Sequence, residues 1–330
     1  MSITVSRFEI SANSNRFYAN GNQQSHVNVS VMKMEDRGTG VPVKVSLSDT
    51  ERESITVVAF SSNLNQTTLP DGWSVDKTRN QYELGGVTSF AAEERTGGEV
   101  EAEARGAEAR NDVPDVFSRF VRSHRTGTER LMARMRLDDG RVLTTNMSFE
   151  GHNFTSSVTL EAVRPPSVEI SELVTTPIET LYDRTMSNLN PTWRQRVFAH
   201  RWAMPARVRV KQILVDPTNA RHFYELGRQD NSNPSRRVLT RGRVFGPGRW
   251  PVRTNDAMSG GCVEPFDYTM TLAENQWGAT RLVVNGCTWT SGDDWADPAR
   301  ITVTDVYGNT YRYRIQATND LGDEIEIIPG

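Results

Sequence analysis

The chain has 330 residues, a hydrophobic share of 36% and a formal net charge of −3. That length is too great for one simple core and suits two domains. A net charge this close to zero excludes a polyanionic partner for the molecule as a whole, and aromatic and β-branched residues spread along the chain exclude disorder.

The first 90 residues read as β. Ile3, Val5, Phe8 and Ile10 give a first strand. The segment FYANGNQQSHVNVSVMKM, residues 17–34, opens with two aromatics and turns at Asn20-Gly21, where positive φ is tolerated in a tight hairpin or loop. Val27, Val29, Val31 and either Met32 or Met34 then alternate on one buried face. Val41, Val43, Val45 and Leu47 repeat the pattern, Ile55, Val57, Val58 and Phe60 follow, and Trp73 and Val75 precede Tyr82. Turn signals between these runs fall at the spacing of a small antiparallel sandwich.

Residues 91–112 differ in kind. Glu93, Glu94, Glu99, Glu101 and Glu103 stand among glycines and alanines, with Val100 the only large aliphatic. The composition predicts an exposed charged insertion, read either as a solvated loop or as a docking arm that orders on assembly. Asp112 and Pro114 then open a predicted short helix through Val113, Phe117, Phe120 and Val121. Leu131 to Leu143 read as a hairpin turned at Asp139-Gly140, and Phe154 to Ala162 as a strand. Pro165-Pro166 is the expected domain boundary, giving residues 1–165 and 166–330.

In the second half, Thr176-Pro177-Ile178-Glu179 has the form of a capping box with proline at the first helical position. A helix through Ile178, Leu181, Tyr182, Thr185 and Leu189, ended by Asn190-Pro191, is predicted. Trp193 to Trp202 fits helix or strand, and Val208 to Val215 reads as strand. Residues 219–261 read as irregular, and strands return at Met270, Leu272 and Leu282 to Val284. The clearest hairpin is ITVTDVYGNTYRYRI, residues 301–315, with Ile301, Val303 and Asp305 sharing one face, Tyr311, Tyr313 and Ile315 sharing a face on the return strand, and Gly308-Asn309 at the turn. The expected fold is mostly β: tandem Ig-like β-sandwich domains with one or two short helices and long loops.

Searching for chemistry, the five histidines (His26, His124, His152, His200 and His222) form no H-x-x-x-H or H-x-E pair. There is no G-x-S-x-G elbow, phosphate loop or dinucleotide fingerprint. No catalytic residue and no cofactor is expected, so the chain reads as a non-enzyme. Asp293, Asp294 and Asp297 in SGDDWADP are the best calcium candidate, against a solvated turn capped by Asp side chains; the spacing departs from D-x-D-x-D-G, so no metal is expected. Cys262 and Cys287 have neither metal-ligand spacing nor a His-rich partner, leaving a disulfide or two ordinary thiols.

Apart from Lys33, Lys44, Lys77 and Lys211, every basic residue is arginine. Arg236, Arg237, Arg241, Arg243, Arg249 and Arg253 crowd one stretch with Phe245 and Trp250. That composition suits a protein interface, with the acidic insertion of a neighbouring copy as its complement. The acidic chain and the lack of any nucleic-acid-binding signature argue against a nucleic-acid partner. The N-terminus has no charged n-region or long h-region, and no run approaches the ~20 apolar residues of a membrane span. Synthesis in the cytoplasm with no membrane insertion is expected.

The run FYANGNQQSHVNVSV, followed by a V-P-V strand, an S-I-T-V-V strand and DGWSVDKTRNQYEL, resembles the N-terminal module of structural proteins from tailed bacteriophages and prophages. In those a YANG-x-x-Q start leads into a small Ig-like β-sandwich, and the resemblance covers about residues 1–90. It implies a virion component of the tail, collar, baseplate or fibre-attachment apparatus, located in the virion, with other copies of itself and other virion proteins as partners. It supplies no catalytic residues. The alternative is a receptor- or carbohydrate-binding tail module whose partner is a host-surface glycan, with Trp250, Trp289 and Trp295 as sugar platforms.

Overall fold

The computed structural model describes residues 2–86, 113–186, 192–217, 222–230, 233–253, 263–287, 295–319 and 324–330. These residues are mostly β, in several antiparallel sheets with one α-helix. The chain divides into two compact units, Met1–Pro165 and Pro166–Gly330. No helix among the described residues is long and apolar enough to cross a membrane.

The first unit contains, in chain order, β1 (Ser2–Ala12), β2 (Arg16–Tyr18), β3 (Ser25–Asp36), β4 (Val43–Lys44), α1 (Asp49–Ser54), β5 (Thr56–Ala59) and β6 (Trp73–Asp76). After the acidic segment come β7 (Asp115–Ser123), β8 (Gly127–Arg136), β9 (Val142–Thr144), β10 (Asn146–Phe149), β11 (His152–Thr155) and β12 (Val158–Val163). One sheet runs β1-β3-β7-β6 with β4 also on β3, a second runs β2-β12-β8-β5 with β9 on β8, and β10 and β11 pair as a two-stranded sheet. Val5, Phe8, Val29 and Val121 from the first sheet and Leu131, Met135 and Leu160 from the second fill the core between them. This is the sandwich that the alternation predicts.

Several local expectations give way. The spacing of Val5 and Phe8 breaks a strict period of two, and β1 absorbs it with a register shift between Val5 and Arg7. On β3 the inward position after Val31 belongs to Lys33, not to Met32 or Met34. Val41 and Val43 are exposed, and the strand expected there shrinks to the two residues of β4. Of the two forms expected at Asn20-Gly21, the loop holds and the hairpin does not: β2 lies parallel to β12, β3 lies in the opposite sheet, and the turn carries the chain across. The helix expected at Val113–Val121 is the strand β7, paired with β3 on one side and β6 on the other. Its helical spacing arises because Val121 faces the core while Phe120 lies on the other face beneath His26, with rings 5.0 Å apart.

The sequence reading assigned no helix to residues 49–54. There, Ser48 accepts from the Glu51 amide and the Glu51 carboxylate accepts from the Ser48 amide, a reciprocal capping box.

The second unit contains a 3₁₀ turn at Ile170–Glu172 and then β13 (Val174–Thr175), β14 (Glu179–Met186), β15 (Trp193–Ala203), β16 (Val210–Asp216), β17 (His222–Asp230), β18 (Asn233–Phe245) and β19 (Gly248–Arg253). These are followed by β20 (Asp267–Leu272), β21 (Gln276–Cys287), β22 (Trp295–Ala296), β23 (Ala299–Asp305), β24 (Thr310–Ala317) and β25 (Ile325–Pro329). A seven-stranded sheet, β13-β15-β21-β18-β17-β22 with β14 also on β15, faces a four-stranded sheet, β16-β23-β24-β25. Phe223, Tyr224, Val244 and Trp277 from the first meet Ile301, Val303, Tyr313 and Ile315 from the second. The hairpin β19-β20 packs with Phe245, Val252, Met270 and Leu272 in a separate core.

Two expectations fail in this unit for one reason. The capping box at Thr176 caps nothing: β14 is a strand paired along β15, and the Thr176 amide donates to the Arg201 carbonyl. The stretch read as irregular is mostly the long strands β17, β18 and β19. In both places cross-strand pairing overrides local composition, as it commonly does for β structure.

Candidate interaction surfaces

The segment that opens with Phe17 organises a loop 52 to 61 residues away, through its side chains. Asn20 Oδ1 accepts from the amides of Asn22 and Gln23, and Gly21 adopts φ +74°, a conformation glycine takes without strain. Gln23 is buried; its oxygen accepts from the Tyr18 amide at 2.6 Å and its nitrogen donates to the Leu84 carbonyl. Gln24, also buried, donates to Asp76 and accepts from the Asn80 amide, while Asn80 Nδ2 donates to the Asn22 carbonyl. Backbone bonds from Gly85 to Gln24 and from Gly86 to Arg16 complete the clamp. Phe17 packs edge-on against Trp73 at 5.5 Å in the core. The chain is thus fixed up to residue 86. At the far side of the acidic segment, Lys44 Nζ reaches the Val113 carbonyl at 2.6 Å and Asp115 at 2.9 Å. Glu93, Glu94, Glu99, Glu101 and Glu103 themselves lie outside the described residues.

The arginine-rich stretch is a β structure spread over β18 and β19. Arg236 and Arg237 belong to the first half of β18. Arg241 stands directly opposite Glu225 on β17 and bonds it at 2.6 Å, with both side chains largely buried. Arg253 stands directly opposite Asp267 and pairs with it at 3.1 Å. Phe245, grouped with the arginines as an interface candidate, is 1% exposed and belongs to the core. Trp250 donates from Nε1 to the Gly246 carbonyl at 2.8 Å and packs beside Val252. Arg249 is exposed on β19. Arg241, Arg243 and Arg253 converge with Val252, Thr280 and Leu282 on a cavity of about 20 Å³, room for about one water molecule.

The acidic and aromatic candidates near the C-terminal end are partly outside the described residues: Asp293, Asp294, Trp289 and Cys262 all are. Asp297 is exposed, and its amide donates to the Phe223 carbonyl. No group of three or more His, Cys, Asp or Glu among the described residues is arranged to hold a metal ion. Asp297 forms the mouth of a cleft of about 330 Å³ together with Gln316 and Thr318, over a floor of Phe223, Tyr224 and Leu226.

The sequence assigned no role to the buried groups Lys33, Glu51, Arg119 and Asp305, and each has a structural partner. Lys33 Nζ bonds both carboxylate oxygens of Glu51 at 2.8 Å. Arg119 donates to the carbonyl of Ile55 and, at 3.4 Å, to that of Arg52, holding the end of α1. Asp305 accepts from the Tyr307 and Asn309 amides, Asn309 Nδ2 and the Tyr311 hydroxyl. Burial raises its pKa, while the bonds from Asn309, Tyr311 and Tyr307 act to lower it. Lys33 and Asp305 had a visible signal: each is a lone charge at an inward position that continues an apolar alternation.

His200 is buried against Trp202, their rings 5.8 Å apart, and its Nε2 has no hydrogen-bond partner among the described residues. Burial, and then the nearby Arg281 charge, lower its pKa to about 4.

No protein-family model matches the chain, and no curated protein matches it.

Proposed function

We propose that the chain is a non-enzymatic structural component of a tailed-phage virion, in the tail, collar, baseplate or fibre-attachment apparatus, and that it assembles with copies of itself and with other virion proteins. The observation that carries this reading is the clamp built from Asn20, Gln23, Gln24 and Asn80. The stretch that bears the family resemblance uses its polar side chains to hold a loop and to fix the root of an acidic segment. Polar groups used this way set shape, as a building block needs. The ion pairs of Lys33 with Glu51 and Arg241 with Glu225 serve the same end in each unit. Peptide mass spectrometry of purified virions, with the solution mass of the isolated chain, tests the proposal. A chain present at stoichiometric copy number in particles, and assembling when purified, is the expected result. Absence from particles that otherwise contain every tail component refutes it.

A second reading, a module that binds a host-surface glycan, is favoured by the cleft beneath Asp297. A concave site with an apolar floor and a few polar groups at its mouth has the make-up of a small-ligand site. Glycan-array binding abolished by Gln316→Ala and Thr318→Ala, with a monomeric chain, would favour it over the first.

A further inference from the structure

We propose that the outer face of the four-stranded sheet in the second unit is an acceptor for the acidic segment around Glu99–Glu103 of a second copy of this chain. The inference rests on the reading that the chain assembles through its own surfaces.

Register places the relevant groups without ambiguity. Asp216, Arg300, Arg314 and Ile328 form one line across β16, β23, β24 and β25, and Leu214, Thr302 and Arg312 form the next. The opposite face of the same strands carries Ile301, Val303, Tyr311 and Tyr313 into the core, so these arginines project outward. Arg300 is 75% exposed in its side chain, and its nearest carboxylate, Asp216, is 3.8 Å away and 71% exposed. Arg314 donates to the Pro329 carbonyl at 3.3 Å. Among the described residues neither Arg312 nor Arg314 is paired with a carboxylate.

Elsewhere in this unit the sheet sets arginine against acid. Arg241 lies opposite Glu225 and Arg253 opposite Asp267, each pair bonded. On the outer face, Arg300 has Asp216 opposite it on one side, 3.8 Å away and exposed, and Arg314 directly opposite it on the other. Like charges at directly opposed positions destabilise a sheet, and an anionic partner removes that cost. Leu214, exposed beside them, adds an apolar contact.

The occupant is chosen by charge and by repeat. Between Glu93 and Glu103 the chain carries five glutamates and one arginine, Arg95. Glu99, Glu101 and Glu103 alternate, so an extended stretch presents all three carboxylates on one side, at a spacing of about 6.6–6.8 Å. Arg312 and Arg314 are two residues apart on one strand and share that repeat. Arg241 and Arg253, held by their own acids at 2.6 and 3.1 Å, are poorer acceptors than Arg300, whose acid is 3.8 Å away, or than Arg312 and Arg314. Because donor and acceptor patches differ, the contact forms either reciprocally, in a two-fold dimer, or head-to-tail, in a ring or filament.

The test uses the full chain, with mass followed by light scattering against concentration at low and high salt. Arg300→Glu/Arg312→Glu/Arg314→Glu and, separately, Glu99→Arg/Glu101→Arg/Glu103→Arg should each raise the concentration needed for assembly by roughly tenfold or more, since three exposed pairs act together. Circular dichroism should be unchanged. Mixing the two variant chains should restore assembly by opposite-sign pairing, which a folding defect would not do. If the wild-type chain stays monomeric at every concentration, the assembly reading fails and takes this inference with it. If the wild type assembles and the arginine reversal assembles equally well, or if mixing restores nothing, only this inference is overturned. Loss of heparin binding with unaltered assembly also overturns it, assigning the face to another polyanion.

Discussion

The backbone amide of Asn80 donates to the side-chain oxygen of Gln24 at 2.9 Å, joining positions 56 residues apart. Gln24 is 1% exposed, so its amide has no water to fall back on. Gln24→Ala should therefore lose about 1–3 kcal/mol, the cost of stranding buried groups. Gln66→Ala, which removes exposed bonds to Thr68 only, should change stability by less than about 0.5 kcal/mol. Urea unfolding of the two variants makes the comparison, and equal losses would contradict the clamp.

The pair Lys33–Glu51 should respond asymmetrically. Glu51 accepts from Lys33 and also from the Ser48 amide at 2.9 Å and the Asp138 amide at 3.3 Å. Removing one partner of a buried ion pair costs roughly 3–5 kcal/mol. Glu51→Leu should fall at the high end, because it also uncaps α1, and Lys33→Met at the low end. Lys33→Met/Glu51→Leu should be no worse than Glu51→Leu alone; additive losses in a denaturation series would argue against the pairing.

Gly242 sits where the rings of Phe223 and Tyr224 cross β18. A Cβ there would lie 2.1 Å from Tyr224 Cε1 and 2.7 Å from Phe223 Cε1. Both rings are buried in the core, so Gly242→Ala should destabilise by about 1–3 kcal/mol or more through overpacking. Gly127→Ala is the control: nothing lies within 4 Å of its Cβ position. Thermal melts should show a clear drop for the first and almost none for the second.

His200 gives the second unit a dependence on acid. Its folded pKa of about 4 lies below the ordinary value of 6.5, so between those values the unfolded chain binds the extra proton. Stability from this group is complete above about pH 6.5 and is lost as pH falls towards 4, by on the order of 3 kcal/mol. His200→Phe should flatten this part of the profile. Melting temperature measured from pH 7 to pH 4.5 in both proteins reads the difference, and parallel curves would remove His200 from the account.

What could be read from the sequence follows the physics of each site. Strands with a plain alternation, such as Val27, Val29, Val31 and the Ile301–Ile315 hairpin, were legible because one face is buried. Asp305 was placed on the right face, but its four donors come from the turn and from Tyr311, which alternation does not report. Phe117, Phe120 and Val121 mimicked a helix because β7 buries a large side chain on each face. The arginine stretch misled for a related reason. Composition shows six cations close together, whereas the ladder sets Arg241 and Arg253 against acids 16 and 14 residues away along the chain, Glu225 and Asp267. The arginines of the outer face stayed hidden, because Arg300 and Arg314 become neighbours only once β23 and β24 pair.

Among the described residues the strand β1 has β3 as its one sheet neighbour, yet its margin is not bare: the Ile10 amide donates to Ser156 Oγ, the Ile3 carbonyl accepts from Arg141, and a register shift breaks the line at residue 6. A straight, unsatisfied margin is a template on which extended segments of other molecules nucleate fibrils. Crowding makes that hazard worse, since every folded copy would seed the next. With its margin broken and partly occupied, β1 offers no straight ladder for such growth, and an accumulating pool of this protein is protected at that edge from irreversible precipitation.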